Sequence, residues 1–330
     1  MTTAFIEELT HLAETMGSPH LTPIIGRLQR PVRVAVAGRA GVGRGQVEAA
    51  LRHRGVVVAQ QEADVWVLVV AEAVKAEDLA TVRAARGPVL IVLTKADLAG
   101  TGPGGPIAVA RRRAVDVRRR TGVPTVPMVG LLGALDGPLE DDLVQALQRF
   151  VTEPPNLADV NAFVDDPHPV PAAVRARLLE RLDRFGIAHA VLALADDCDP
   201  GRLGAHLSSL SLLGEVLGAL DAVAAPVRDR RLDIALRETR CLAVGLPEDR
   251  LSELLAADLV AMAVMSAAVD VIEAAGLSVD RGDTAAAHLD RAVRWRRYGR
   301  GPVDAMHRRC SADIVRGSLR LLAGMRRSPT

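Results

Sequence analysis

Residues 38–45 read GRAGVGRG and follow the apolar run VRVAVA at residues 32–37. Gly38 and Gly43 stand at the spacing of GxxxxGK[ST], a frame in which backbone N–H groups wrap phosphates, a lysine reaches the β- and γ-phosphates, and a hydroxyl holds Mg²⁺. Here Arg44 replaces the lysine and Gly45 the hydroxyl. The pattern predicts a phosphate site made by Gly38, Arg39, Ala40, Gly41, Val42, Gly43, Arg44 and Gly45, with Mg²⁺ held poorly. A planar guanidinium neutralises phosphate charge but supplies no metal ligand.

The elements that must position this loop follow in order. DVWVLVVAEA (residues 64–73) reads as a buried strand, KAEDLATVRAA (75–85) as a helix, and PVLIVLTKADL (88–98) as a second strand ending in Thr94, Lys95 and Asp97. This order resembles the nucleotide-binding domain of the translation-factor-like GTPases. In their NKxD element the Asp reads guanine and the Lys stem packs along the base. Lys95 and Asp97 match that element, and Thr94 stands where the family has Asn. Lys75 and Lys95 are the only lysines, so every other basic side chain is arginine, a bias that looks like a GC-rich genome. VPTVPMVGLLGALDGPLEDDLVQALQRF (123–150) adds a short strand, a loop at Val129, Gly130 and Leu131 where such GTPases carry their second guanine-contacting loop, and an amphipathic helix with Leu139, Leu143, Ala146, Leu147 and Phe150 inward. The resemblance implies guanine contacts from Thr94, Lys95, Asp97, Gly130 and Leu131, and GTP or GDP as ligand.

Between the helix after the loop and the strand at residue 64 lies only GVVVAQQEA (55–63), where the family places a switch threonine, two strands and a DxxG element. Gln60 and Gln61 have no frame to aim them and read as surface residues. No catalytic or metal-ligating residue is therefore assigned, and efficient hydrolysis by this chain alone is not expected.

With 330 residues, 49% hydrophobic content and net charge +1, the chain has room for two domains and a balanced surface. Aromatic residues at 2% give no stacking platform, so nucleic acid is not an expected partner. Cys198, Cys241 and Cys310 have neither disulfide nor zinc spacing and read as reduced structural thiols. The first residues are acidic where a signal peptide is basic, and the apolar stretch at 259–269 is too short to span a bilayer. The expected location is cytoplasmic, with peripheral association at the inner face of the membrane as a further candidate.

Phe5, Leu9, Leu12 and Met16 define a helical face that is expected, within residues 1–30, to pack on a bundle, with a Gly/Pro-punctuated connection at 17–30. The fold expectation is α/β: a P-loop GTPase-like, mostly parallel sheet domain at 31–151, a Pro-rich linker at 152–171, and an α-helical bundle at 172–330. In the bundle, Leu178, Leu182, Phe185, His189 and Leu192 share a face, Asp199 and Pro200 open a helix, and a long leucine seam runs through Pro226. Residues 177–243 resemble the helical region after the GTPase domain in actinobacterial dynamin-like GTPases. That likeness implies a head-on-bundle plan and a related GTPase, or a homo- or hetero-oligomer, as partner. No long lipid-inserting tip is evident, so membrane remodelling by this chain alone is not expected.

From residue 284 to the end, eleven arginines face three aspartates. Arg291, Arg294, Arg296, Arg297 and Arg300 around Trp295 form a candidate docking surface for anionic lipid or an acidic partner. The alternative is a solvated face paired with the rest of the chain. Three functions remain open at this point: a nucleotide-binding pseudo-GTPase that regulates or supports an active relative, a nucleotide-free adaptor docking through the basic helices, and a slow GTPase completed in trans.

Overall fold

The computed structural model describes residues 2–245 and 249–327; the last three positions of the basic tail, 328–330, lie outside them. The chain runs α1 (Thr2–Met16), α2 (Thr22–Gln29), β1 (Arg33–Gly38), α3 (Arg44–His53), β2 (Val57–Val58), β3 (Val65–Ala71), α4 (Ala76–Ala84), β4 (Val89–Thr94), α5 (Gly105–Thr121), β5 (Thr125–Pro127), α6 (Gly130–Gly133), α7 (Asp141–Thr152) and α8 (Val160–Asp165). It continues with α9 (Ala172–Ala195), α10 (Leu203–Leu210), α11 (Leu213–Gly245), α12 (Arg250–Ala256), α13 (Asp258–Ala274), α14 (Ala285–Gly299) and α15 (Ala305–Arg327).

Two compact units result, residues 33–220 and residues 1–32 with 221–330. The first is α/β. Its five strands lie in the order β2-β1-β3-β4-β5, every pair parallel. Val67, Val69, Val70, Leu90, Ile91 and Val92 are fully buried, as expected for parallel strands covered on both faces. Order reverses at β1, so the loops leaving β1 and β3 diverge to opposite faces and open a crevice at the carboxyl ends of the strands.

One face of the sheet packs Leu68, Val70, Ile91 and Leu93 against Val117 of α5, which ends where Gly122, at φ 70°, returns its N–H to the Arg118 carbonyl. A second core joins Leu143, Leu147 and Phe150 of α7 to Phe163, Leu178, Leu182, Ile187, Leu203 and Leu207. It departs from the sequence expectation. The segment at 152–171 is no free linker: Asp159 caps α8 by accepting the Ala162 N–H, and fully buried Phe163 meets Phe150 edge-on at 5.8 Å. Helices α9 and α10 belong to the sheet's unit, and the division falls inside α11, between Leu220 and Asp221.

Three smaller differences have local causes. The connection at 17–30 contains α2, whose Ile24 and Ile25 are buried. The seam expected as one long helix breaks at Ser211–Leu212, where Leu212 takes φ 64°. In α9 the buried positions after Leu182 are Gly186, Ile187, Ala190 and Ala193, while Leu192 is 59% exposed, because non-helical backbone at Asp183 (φ 54°, ψ 174°) resets the phase.

The second unit is helical. Phe5 and Leu9 of α1 pack with Leu21, Ile24, Leu232, Leu236, Leu251 and Ala263, and a neighbouring core holds Met265, Ile272, Trp295, Cys310 and Ile314. Burial pushes the Cys310 thiol up to about 12, which keeps it protonated and unreactive.

Phe163→Ala tests whether residues 152–171 are structural. Losing a fully buried ring should cost about 3–5 kcal/mol in urea unfolding, whereas a ring on a tether would cost under about 0.5 kcal/mol.

Candidate functional site

A cleft of roughly 710 Å³ opens at the carboxyl ends of β1 and β4. It is lined by Gly38, Arg39, Ala40, Gly41, Gly43, Arg44 and Gly45, by Thr94, Lys95 and Asp97, and by Gly130 and Leu131. The structure thus brings three separate sequence elements to one cavity. Val42 alone of the loop lies outside the lining, because its side chain is buried and its carbonyl faces β4. Gln46, Leu98 and Asp183 also line the cleft and carried no motif signal.

The loop is shaped by its glycines. A Cβ on Gly38 would stand 2.7 Å from the Val69 carbonyl oxygen, so β1 passes β3 only without a side chain there. Gly43 takes φ 84° as the residue before α3, a conformation that costs glycine little. Helix α3 then points its amino end into the cleft. None of the N–H groups from Ala40 to Gln46 donates a hydrogen bond among the described residues. Such free donors at the start of a ten-residue helix form a ready anion cradle.

The cationic side chains of the loop are partly committed. Arg39 donates through Nε at 3.0 Å and through a terminal nitrogen at 3.2 Å to the two oxygens of Asp78, which is 1% exposed. Asp78 also accepts the Lys75 N–H at 2.8 Å, so this pair fastens the loop to the start of α4. Arg44 is exposed, with Nε 3.7 Å from Glu48.

Thr94 is buried and shares its hydroxyl between the Val42 carbonyl at 2.5 Å and the Val70 carbonyl at 3.1 Å. Lys95 follows at φ 55°, which turns the chain over the strand end and leaves its side chain exposed. The Ala96 N–H reaches the Met128 carbonyl at 3.3 Å, and the Val129 N–H reaches the Ser211 carbonyl at 3.0 Å. Gly130 is buried, and a Cβ on it would stand 3.3 Å from Cβ of Gln46.

Asp97 is half-buried. Burial raises its pKa from the ordinary aspartate value and the charge of Asp183 adds to the rise, while its own backbone N–H and Lys95 pull it down. A half-buried carboxylate with no salt-bridge partner among the described residues marks a place where stability is given up.

The segment between α3 and β3 contains only the two-residue β2, and Gln60 and Gln61 are exposed. Asp64 accepts the Arg33 N–H at 2.8 Å, at the amino-terminal edge of the sheet away from the cleft.

The basic tail divides. Arg291 and Trp295, expected at a docking surface, are buried: Arg291 donates to Ser318, to the Asp280 and Gly282 carbonyls and to His288 Nδ1. They are core residues because their helical positions face α15. Arg294, Arg296, Arg297 and Arg300 are exposed and pair with no carboxylate among the described residues.

No family model matches the sequence, and no curated protein or solved structure is significantly similar to it.

Two substitutions test the cleft. Thr94→Val should cost about 1–3 kcal/mol in urea unfolding, since it leaves buried carbonyls without their donor. Asp97→Asn should raise the melting temperature at pH 7, because a carboxylate whose folded pKa is raised must ionise at a cost once pH exceeds that value. The gain should vanish below the ordinary aspartate value of about 3.9, where the carboxyl is neutral in both states.

Proposed function

We propose that this chain binds a guanine nucleotide without efficient hydrolysis and acts as a regulatory or structural partner of a related, active dynamin-like GTPase. One observation carries the reading: a single cleft is lined both by loop residues between Ala40 and Gln46, Val42 apart, whose N–H groups are free among the described residues, and by the acceptor Asp97. A nucleotide needs that pairing, since its phosphates accept and the guanine edge donates. In this reading the loop backbone and the amino end of α3 hold phosphates, Arg44 turns from Glu48 toward them, and Asp97 accepts from guanine. The parallel order 2-1-3-4-5 supports it, because ligands of such sheets sit at the reversal of strand order.

The residues fit a nucleotide better than they fit Mg²⁺. Gly45 offers no oxygen, the Thr94 hydroxyl is committed to two carbonyls, and the Asp64 carboxylate serves Arg33. No step is assigned to a metal. The shortness of the segment at 55–63 also leaves nothing to orient an attacking water.

A second reading, a nucleotide-free adaptor, rests on the exposed Arg294, Arg296, Arg297 and Arg300. Calorimetric titration with GDP and GTP, with and without Mg²⁺, separates the two. Nucleotide binding that depends little on Mg²⁺, with no phosphate released by the purified protein, is the expected result. Asp97→Asn should then weaken GTP binding at least about tenfold and shift preference toward xanthine nucleotide, a loss the size of one charge-assisted hydrogen bond. No heat with any nucleotide leaves the adaptor reading; Mg²⁺-dependent turnover lost in Asp97→Ala establishes a GTPase.

A further inference from the structure

Asp183 lies far along the chain from every recognised motif, on α9, yet it lines the same cleft as Lys95, Asp97 and Leu98. Its backbone is the anomaly of that helix. At φ 54° and ψ 174° it occupies a region adopted almost only by glycine, at a cost of about 1–3 kcal/mol. Packing holds it there. Leu182 on one side is 1% exposed, and Gly186 sits so close to α6 that a Cβ would stand 2.9 Å from Leu132 Cδ2. One carboxylate oxygen, Oδ1, accepts the Arg184 N–H at 2.6 Å, which fixes the side chain; Oδ2 accepts no hydrogen bond, and Asp183 forms no ion pair, among the described residues.

Two carboxylates thus line one cleft, near enough for the charge of Asp183 to act on Asp97. Ionised carboxylates only accept hydrogen bonds. The ligand edge that satisfies both must present donors to each and no acceptor between them. Among purines, guanine does so with N1–H and the two hydrogens of its 2-amino group. Hypoxanthine has N1–H alone, xanthine puts a carbonyl at position 2, and adenine puts an acceptor at N1.

We infer that Asp183 is a second base-reading residue: Asp97 accepts N1–H and one amino hydrogen of guanine, and Asp183 accepts the other. This rests on the nucleotide-binding reading above and adds to it the source of selectivity, which is the 2-amino group held between two carboxylates from distant parts of the chain.

The experiment is calorimetric titration of the full chain with GDP and with inosine diphosphate, which lacks only the 2-amino group. Wild type should prefer GDP. Asp183→Asn should lose about tenfold in GDP affinity, the scale of one charge-assisted hydrogen bond, while inosine diphosphate binding stays within about twofold. Asp183→Gly accepts the same backbone angles without strain, so it should melt no lower than wild type and show the same selective loss. Equal losses for both nucleotides, or unchanged GDP affinity in both variants of a wild type that binds, overturn the role of Asp183 and leave the nucleotide reading intact. Absence of heat from wild type with either nucleotide overturns that reading and this inference with it.

Discussion

The cleft depends on the hydroxyl of one threonine. Thr94 ends β4 and holds the Val42 carbonyl of the loop and the Val70 carbonyl of β3. Three chain segments far apart in sequence are thereby fixed to one atom in a buried setting, where an unpaired carbonyl is costly. From there the coupling continues through the backbone. Ala96 reaches Met128, and Val129 reaches Ser211 at the break between α10 and α11. The helices after the sheet therefore take part in shaping the cleft. An asparagine amide at residue 94 could make similar bonds, but its greater length would crowd Gly43, whose absent Cβ would lie 3.8 Å from the threonine oxygen.

Charge is distributed unevenly around the loop. Arg39 is spent on Asp78, a buried acid whose other partner is the Lys75 N–H. Arg44 is free to move because its contact with Glu48 is long and exposed, and such pairs contribute little. The loop thus keeps its backbone donors open while one arginine anchors its start and the other stands at the mouth. Asp97 and Asp183 line the same cleft and add acceptors to it.

How much of this was legible follows from what each signal encodes. The strands were readable because parallel, doubly covered strands need continuous apolar runs, and 65–71 and 89–94 supply them. The loop and Lys95-Ala96-Asp97 could be singled out because glycine spacing and a polar strand end are visible in sequence, and the structure brings them to one cleft. Helical periodicity shows which face of α9 is apolar but not what it meets, so its packing on α7 was hidden. Prolines around 154–171 suggested a linker, although proline stiffens a segment without freeing it, and Phe163 anchors it. Arg291 looked like a surface cation because burial of arginine needs acceptors from distant turns that sequence spacing does not reveal. Asp183 left no signal at all: an acid among the arginines and leucines of a helix reads as solvated.

On the proposed reading, the short segment between α3 and β3 bears on what chemistry the cleft supports. Phosphoryl transfer by a residue-built site needs a water held in line and the developing charge answered, and each missing transition-state contact costs roughly tenfold per 1.4 kcal/mol. Here β2 has two residues and is followed by exposed glutamines, and the next two carboxylates, Glu62 and Asp64, both accept from Arg33 at the amino-terminal end of β1. A lysine introduced at residue 44 and a hydroxyl at residue 45 would add a charge and a metal ligand beside a bound phosphate, but still no group that holds a water in line. On the proposed reading the cleft holds a nucleotide rather than turning it over, and any acceleration comes from groups that a second molecule supplies.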